Sequence, residues 1–308
     1  MEATVYEEFG GPEVLRHETG VAVPVPGPGE VRVKVAAAGV NPVDWKRRRG
    51  WVEAFYPTTF PAVPGLEFAG TVDAVGAGVT HVAVGDEVLG WTETGAYAQY
   101  ALAGIVVPKP GGLSWETAAS LPVAGETAQR VLGLLGVEAG GTLFLHGAAG
   151  VVGSVATQLA VAAGIRVVGS ASESNHAYLR ELGAVPVAYG EGLADRVRAA
   201  APEGVDAVFD AAGHGVLPVA IELLGGDAAP KERIVTIADT EAERYGIVFS
   251  GLLGDPDAVR AGLVAQAALA AEGRLTVRLA EVLPLKEASR AQESSESGHV
   301  RGKLVLIP

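Results

Sequence analysis

The stretch Gly141-Thr-Leu-Phe-Leu-His-Gly-Ala-Ala-Gly-Val-Val-Gly-Ser154 is followed by an apolar helical run and then by Ile165-Arg-Val-Val-Gly-Ser170. This order predicts a strand, a glycine-rich turn, a helix and a second strand. In such a unit the helix N-terminus, with its unpaired N–H groups and positive dipole end, points at the carboxyl end of the sheet. That arrangement holds a pyrophosphate.

The glycines of the turn are spaced Gly147-x-x-Gly150-x-x-Gly153, which differs from the usual G-x-G-x-x-G pattern. Glycine lets the backbone turn sharply and approach phosphates, and the last glycine lets the helix lie close to the sheet. A glycine triplet alone also occurs in plain tight turns. Here a strand precedes it, a helix follows it and further strand–helix units come after, so the pattern favours a dinucleotide site.

Strand and helix patterns alternate through the rest of this region. The predicted strands are Thr142–His146, Ile165–Gly169, Val185–Tyr189, Val205–Asp210, Arg233–Ala238 and Gly246–Ser250. The predicted helices lie near Val151–Ala163, Ser174–Leu182, Leu193–Ala201, Val216–Leu224 and Pro256–Glu272. Strict alternation of this kind predicts a parallel sheet that is covered on both faces.

The first third of the chain has a different composition, with many prolines and short valine-rich runs. Val31–Val35 alternates apolar and charged residues, as a half-buried strand does. Three valine-rich runs near Thr71–Val75, His81–Val84 and Glu87–Leu89 are separated by glycine-containing turns, which favours a mostly β domain. Ser114 is the predicted N-cap of a following alanine-rich helix.

The proline- and valine-rich region and the region of alternating strands and helices predict two domains. Residues 1–113 and 278–308 form the first, because the final predicted strand, Gly302–Ile307, is placed back in the β domain. Residues 114–277 form the dinucleotide-binding domain.

Composition excludes several classes of protein. The 308 residues carry a net charge of −13, which argues against a nucleic-acid surface, and contain no cysteine for a disulfide, thiolate ligand or nucleophile. The acidic N-terminus lacks a signal-peptide core, and no run of about 18 uncharged apolar residues predicts a membrane span. We therefore expect a cytoplasmic protein that does not interact with membranes.

The end of the second strand bears on the choice of dinucleotide. An NAD site usually has an acidic residue there, whereas this strand ends Gly169-Ser-Ala-Ser172, and small hydroxyl residues leave room for a 2′-phosphate. Candidate hydrogen-bonding residues for that phosphate are Ser172, Asn175, His176 and Tyr189. No lysine or arginine stands in this loop. The pattern favours NADPH and leaves NADH open.

Motifs over nearly the whole chain carry a resemblance to a known family. They are Gly39-Val-Asn-Pro-Val-Asp-Trp-Lys46, Pro64-Gly-Leu-Glu-Phe-Ala-Gly70, Gly85-Asp-Glu-Val88, Gly95-Ala-Tyr-Ala-Gln-Tyr100, Leu121-Pro-Val-Ala-Gly-Glu-Thr127, His146-Gly-Ala-Ala-Gly150 and Arg301-Gly-Lys303. Together they resemble the zinc-independent quinone oxidoreductases of the medium-chain dehydrogenase/reductase superfamily.

The resemblance implies an α/β fold, with a GroES-like β domain plus a Rossmann-type doubly wound parallel sheet. It implies NADPH as cofactor and quinones or activated alkenes, including enones, as substrates. Zinc-dependent relatives have Cys where Asn41 stands and His where Leu66 stands. Neither residue replaces those ligands, so the resemblance implies no catalytic metal.

The resemblance also implies roles for single residues. Asn41 would lie beside the nicotinamide, and Thr127 near that ring or its ribose. The pyrophosphate would meet the turn residues Ala149, Gly150, Val151, Val152 and Gly153. Ser172 and Tyr189 would lie at the 2′-phosphate, although Tyr189 matches the family tyrosine only with one deleted residue. The nicotinamide pocket would be lined by Ile237, Ala238, Phe249, Ser250 and Gly251.

Lys46 is the candidate that departs from the family. Many relatives have a tyrosine at or near this position, and the version with lysine resembles the subgroup that reduces enones. Without a metal, a preorganised donor must meet the negative charge that grows on the acceptor oxygen. We take Lys46 as the polarising cation and Asn41 as an orienting amide. The alternative is that Lys46-Arg-Arg-Arg49 is a solvated charge run.

Several other residues have two interpretations. Trp51, Tyr56 and Phe60 flank the expected substrate mouth and would stack a quinone, or they pack the domain. Lys303 either reaches the cofactor from the last strand or caps the sheet edge. Glu67 is interpreted as a packing or salt-bridge residue, and His146 as a hydrogen-bonded core residue.

Two other functions compete with this hypothesis. A short-chain dehydrogenase needs Tyr-x-x-x-Lys, and none of the seven tyrosines has a lysine four residues on. A non-catalytic NADPH-binding redox sensor or structural protein of the same fold stays open, since fold does not fix function. The apolar edge strand Gly246–Ser250 predicts a homodimer, because pairing with a second copy removes an open edge.

Overall fold

The computed structural model describes residues 1–92, 94–251 and 253–308. Their contacts divide the chain into two compact units, Met1–Val123 with Asp255–Pro308, and Ala124–Gly254. This division by contacts places 114–123 and 255–277 with the first unit, whereas the domain boundaries expected from the sequence place them with the second. The sequence-based domain boundaries stay a prediction.

The first unit is built on a mostly antiparallel sheet. Its strands are β1 (Ala3–Val5), β2 (Arg16–Glu18), β3 (Val31–Val40), β4 (Glu67–Val75), β5 (Glu87–Trp91), β6 (Tyr100–Ala103), β7 (Ile105–Pro108), β14 (Leu279–Pro284) and β15 (Lys303–Ile307). Within the described residues, seven of these form one sheet in the order β14-β15-β3-β4-β5-β7, with β6 also paired to β3. β1 and β2 form a separate two-stranded sheet.

Helices accompany this sheet. They are α1 (Pro42–Arg48), α2 (Trp115–Ala118), α9 (Pro256–Ala271) and α10 (Ala288–Glu296), with short 3₁₀ turns at Pro12–Val14 and Leu285–Glu287. α1 begins where β3 ends, with Asn41 as N-cap and proline at the first helical position. Ser114 caps α2 by accepting a hydrogen bond from the backbone N–H of Thr117, as predicted.

The sequence pattern of the first unit holds with one exception. Val31, Val33 and Val35 are buried while Lys34 is exposed, which confirms the half-buried strand. The last strand returns to this unit, where Leu304 pairs with Val40 in antiparallel register. The run His81–Val84 is not a strand, because its chain turns toward Asp86, whose carboxylate accepts from the N–H of Ala83.

The second unit alternates strands and helices as predicted. After α3 (Pro122–Leu135), which crosses the unit boundary, come β8 (Thr142–His146), α4 (Val151–Ala162), β9 (Arg166–Ala171), α5 (His176–Glu181), β10 (Val185–Ala188), α6 (Leu193–Ala200), β11 (Ala207–Asp210), α7 (Leu217–Leu223), β12 (Ile234–Thr236), α8 (Ala242–Tyr245) and β13 (Val248–Phe249). Short 3₁₀ turns lie at Glu173–Asn175, Gly226–Ala228 and Lys231–Arg233.

The six strands form one parallel sheet in the order β10-β9-β8-β11-β12-β13, counted over the described part of the unit. The order reverses between β8 and β11. Because parallel crossovers are right-handed, the helices before and after this reversal cover opposite faces. The reversal also opens a crevice at the carboxyl ends of the strands, where ligands bind in open α/β sheets. The predicted doubly wound sheet is confirmed.

Apolar side chains form a core in each unit. In the first, valines of β3 and β4 pack with Phe68, Tyr97 and Leu306. In the second, Phe144, Val168 and Val208 of adjacent strands pack with α6 and α7. None of the helices in the described ranges combines the length and apolar character needed to cross a bilayer.

Candidate dinucleotide-binding and active site

The glycine turn follows β8, and two of its glycines are required by their surroundings. Gly147 has φ +78°, and a Cβ there would lie 2.7 Å from Cβ of Ala212. A Cβ on Gly153 would lie 2.3 Å from the carbonyl oxygen of Gly147. The first turn of α4 therefore touches the loop backbone, which only glycine permits.

The start of α4 leaves donors free for a ligand. Gly150 is the N-cap, and Val151, Val152 and Gly153 are the first three helical residues, so their N–H groups have no acceptor within the helix. The helix dipole adds partial positive charge at the same point. These N–H groups, at the N-cap Gly150 and the first turn of α4, form a glycine cradle that fits the pyrophosphate of a dinucleotide.

His146 and Ser170 fix the turn from beneath. The hydroxyl of Ser170 lies 2.7 Å from Nδ1 of His146 and accepts from the N–H of Gly147 at 3.2 Å. Burial lowers the pKa of His146 below that of an ordinary histidine. His146 is thus a buried, hydrogen-bonded residue, in line with its interpretation from the sequence.

The residues predicted for the 2′-phosphate lie after the neighbouring strands. Ser172 follows β9, and its hydroxyl accepts from the side-chain amide of Asn175 at 3.0 Å. Tyr189 follows β10 with 58% of its surface exposed. Ser172, Ser174 and Asn175 therefore form one polar cluster, and no hydrogen bond joins the side chain of Tyr189 to it within the described residues.

A second polar group lies at the carboxyl ends of β11 and β12. Asp210 accepts from the hydroxyl of Thr236 at 2.7 Å and from the backbone N–H of Gly213 at 2.8 Å. These bonds fix the loop that continues into Ile237 and Ala238, whose N–H groups are held by Asp210 and Thr236. Asp210 was not predicted as a site residue, although its place at a strand end was a usable signal.

The segment after β13 is held by α3. Arg130 pairs with Glu126 at 2.6 Å and donates to the hydroxyl of Ser250, while Glu126 also accepts from the N–H of Gly254. Phe249 is 38% exposed, and Thr127, one residue along from Glu126, is buried. Glu126 and Arg130 had no signal in the sequence, because an i,i+4 ion pair is common on any helix.

In the first unit, Asn41 is at the centre of a buried polar cluster. Its side-chain Nδ2 donates to Oε1 of Glu67 at 2.7 Å, and its Oδ1 accepts from Nζ of Lys303 at 2.7 Å. Lys303 and Glu67 also form an ion pair, and both are fully buried. The ammonium of Lys303 is held by these two partners, and its predicted contact with a cofactor stays a prediction.

Lys46 lies in the last turn of α1, half-buried, with Nζ 5.7 Å from the ring centroid of Trp45. Over the described ranges, no carboxylate lies within ion-pair distance of it. Burial lowers the pKa of Lys46. It is therefore not a plain solvated charge. The rest of the run is not a solvated face either, because Arg48 is buried and both Arg48 and Arg49 pair with Glu296.

The three predicted aromatic residues have separate surroundings. Trp51 is 65% exposed and meets Trp45 edge-to-face, with ring centroids 5.5 Å apart. Tyr56 lies beneath the guanidinium of Arg47 at 5.6 Å. Phe60 packs on Tyr6 and Phe9, at centroid distances of 5.6 and 4.9 Å. The structure thus gives Phe60 packing partners and leaves most of Trp51 open.

Comparison with known proteins extends these observations. Residues 27–123 match the alcohol dehydrogenase GroES-like domain, and residues 182–306 match the family described as zinc-binding dehydrogenase. The solved quinone oxidoreductase of Coxiella burnetii superposes with a TM-score of 0.88 at 32% identity, over 100% of this chain and 99% of that one. The chain belongs to the medium-chain dehydrogenase/reductase superfamily.

Two further members of the superfamily are similar. The 2-methylene-furan-3-one reductase of Solanum lycopersicum is 35% identical over 77% of this chain and 63% of its own length. A mycobacterial protein solved in complex with NADPH has a TM-score of 0.86 at 30% identity, with both chains fully covered. The matches to the first curated relatives span 52% to 63% of those proteins. The predicted resemblance and fold class are confirmed.

A catalytic zinc, which one family description implies, does not fit the residues of this superfamily member. Position 41 is an asparagine and position 66 a leucine, and the chain has no cysteine, whereas zinc sites use thiolate, imidazole and carboxylate ligands. The oxygens of Asn41 and Glu67 are already bound by the ammonium of Lys303. A divalent cation there would meet a buried positive charge.

Proposed function

We propose that the chain is an NADPH-dependent, zinc-independent oxidoreductase that transfers hydride to quinones or to activated alkenes such as enones. The observation that carries this proposal is the glycine cradle at the N-terminus of α4, at the point where the strand order reverses. The names of its relatives support the two substrate classes.

The residues proposed to hold the dinucleotide follow the carboxyl edge of the second sheet. The N–H groups of Val151 to Gly153 would bind the pyrophosphate. Thr127, Ile237, Ala238 and the segment Phe249–Gly251 would contact the nicotinamide half. When bound, NADPH supplies the hydride from its nicotinamide ring.

The preference for NADPH over NADH is part of the proposal. Ser170, Ala171 and Ser172 stand where an NAD site commonly has an acidic residue, and the hydroxyl of Ser172 and the amide of Asn175 already form a small hydrogen-bonded cluster. Hydroxyl and amide groups accommodate a phosphate without the repulsion that a carboxylate would cause.

We assign the polarisation of the acceptor to Lys46 and Asn41. Hydride addition to a quinone, or to the β-carbon of an enone, places negative charge on the acceptor's carbonyl oxygen, which needs a fixed donor. Lys46 supports this role because it is half-buried and has no carboxylate partner among the residues described. Trp51, Tyr56 and Phe60 are proposed to flank the acceptor.

A homodimer completes the proposal, and the cytoplasmic location expected from the sequence stays a prediction. β13 is the end strand of the parallel sheet, and Val248 and Phe249 are 42% and 38% exposed. An apolar end strand of a sheet is a template for pairing with a second copy of the same strand.

The test is calorimetric titration with NADPH and NADH, followed by NADPH oxidation with a panel of quinones and enones. We expect tighter binding of NADPH and turnover that depends on the acceptor. Tight binding without turnover would favour the non-catalytic sensor, and binding of neither nucleotide would refute the proposal.

A further inference from the structure

The side-chain amide of Asn41 has a different buried partner on each of its two polar atoms. Oδ1 accepts from the ammonium of Lys303 at 2.7 Å, and Nδ2 donates to Oε1 of Glu67 at 2.7 Å. Asn41 is only 6% exposed, and the other two side chains are 1% and 0% exposed. Both contacts are therefore shielded from water.

These partners permit only one orientation of the amide. Rotating it by half a turn would place Nδ2 against the ammonium of Lys303, donor against donor, and Oδ1 against the carboxylate of Glu67, acceptor against acceptor. Lysine has no acceptor and an ionised carboxylate has no donor, so both hydrogen bonds would be lost. Buried polar groups without partners are costly.

The two partners are themselves fixed by the backbone. Oε2 of Glu67 accepts from the N–H of Val123 at 2.7 Å. A Cβ at Gly39 would lie 2.3 Å from Oε1 of Glu67, so glycine on β3 makes room for the carboxylate. Lys303 begins β15, whose next residue pairs with Val40, and this register places Lys303 beside position 41.

We infer that Lys303 and Glu67 are positioning residues that fix Asn41 as a hydrogen-bond donor toward the acceptor's carbonyl oxygen. One N–H of Nδ2 is used by Glu67, and no second acceptor contacts that nitrogen within the described ranges. The second N–H is left for a ligand oxygen. The positive charge of Lys303 is balanced by Glu67, so Lys303 orients the amide and does not itself polarise the substrate. The catalytic part of this inference rests on the proposed function.

The orientation can be tested without catalysis, because the chain has two asparagines, Asn41 and Asn175. Selective ¹⁵N-asparagine labelling gives two side-chain amide signals in an NMR spectrum, and Asn41→Ala assigns them. We expect Asn41 to show two well-separated, slowly exchanging protons. Lys303→Met should bring the two proton signals of the Asn41 amide closer together and speed their exchange. Lys34→Met, at an exposed lysine of β3, should leave both unchanged.

Lys303→Met leaves the carboxylate of Glu67 buried without its cation, so the double variant Lys303→Met/Glu67→Gln provides a neutral pair if the single variant does not fold. Unchanged Asn41 amide signals in whichever of these variants folds would overturn the inference.

Kinetics test the donor role. We expect Asn41→Ala and Asn41→Asp to lower kcat to a similar degree, by about a hundredfold, because aspartate keeps the contact to Lys303 but lacks the N–H. Lys303→Met should lower kcat by about tenfold with little change in KM for NADPH, and should add nothing in an Asn41→Ala background. Full activity of Asn41→Asp, or multiplicative losses in the double variant, would refute the role. Absence of turnover in the wild type refutes the proposed function and leaves the NMR result as the test of orientation.

Discussion

The phenol hydroxyl of Tyr97 donates a 2.9 Å hydrogen bond to Oδ2 of Asp44, and both side chains are buried. The same oxygen accepts from the backbone N–H of Asn41 at 2.8 Å, while Oδ1 is buried without a hydrogen-bond partner among the described residues. Burial outweighs these bonds and raises the pKa of Asp44 to about 6. Burial also raises the pKa of Tyr97, which stays a donor.

This raised pKa predicts a pH dependence of stability. Between the ordinary pKa of 3.8 and about 6, the folded protein holds a proton on Asp44 that the unfolded chain has lost. The contribution of this group to the free energy of unfolding therefore falls as pH rises through that window, by about 3 kcal/mol, and is flat above it. Urea unfolding of wild type and Asp44→Asn across the window measures the difference. Parallel pH profiles for the two proteins would contradict the assignment.

Lys46 is predicted to act in turnover and not in cofactor binding. Lys46→Met should lower kcat by at least about tenfold with an unchanged affinity for NADPH, because it removes a charged donor from the acceptor. Lys34→Met is the matched control on an exposed lysine. Since burial lowers the pKa of Lys46, kcat should fall on the alkaline side at a lower pH than an ordinary lysine would give. Unchanged kcat in Lys46→Met would return this residue to a surface role.

Gly153→Ala should abolish dinucleotide binding, because the new Cβ would collide with the carbonyl oxygen of Gly147 and push α4 away from the turn. Gly133→Ala in α3 is the control, since a Cβ at that position would have no neighbour within 4 Å and alanine favours a helix by up to about 1 kcal/mol. Calorimetry with NADPH, alongside thermal unfolding, separates binding from stability. Normal affinity in Gly153→Ala would exclude the cradle as the phosphate site.

Ser172→Asp should weaken NADPH binding by about tenfold or more and spare NADH, because a carboxylate repels a 2′-phosphate and accepts from a ribose hydroxyl. Ser114→Asp places the same charge at an exposed helix N-cap of the first unit, where aspartate also caps, and should change the ratio of affinities less. Titration of both variants with both nucleotides gives this ratio. Equal changes of the NADPH-to-NADH affinity ratio in the two variants would indicate a general effect of the added charge.

Val248→Lys should convert the proposed homodimer to a monomer, because a charged residue on β13 opposes strand pairing. Val185→Lys is the control on β10, at the opposite edge of the same sheet, where the valine is 38% exposed. Sedimentation at micromolar protein gives the mass of each variant. A monomeric wild type would refute the dimer proposal. A Val248→Lys variant that stays dimeric would show that β13 does not form the interface.

Local pattern predicted the second unit well. The strand Thr142–His146 matches the structure at both ends, and the helix after the glycine turn begins at Val151, as predicted. Periodicity and glycine spacing act over a few residues, so they are legible without knowing what packs on them. The structure of the run His81–Val84 was harder to predict, because a valine-rich pattern of four residues fits a strand and a loop between two turns equally well.

The amino-acid sequence by itself determined the alternation of strands and helices and the dinucleotide turn, since each depends on residue types at short spacing. The resemblance to a known family showed that positions 41 and 66 lack the zinc ligands of zinc-dependent relatives. Tertiary structure alone decided that Lys303 meets Asn41, 262 positions away, and that Asp44 meets Tyr97, 53 positions away. Strand pairing brings such residues together, and burial then sets their charge and orientation. Neither the contact nor its burial can be predicted from a local pattern, because both depend on which distant side chains pack around these residues and exclude water from them.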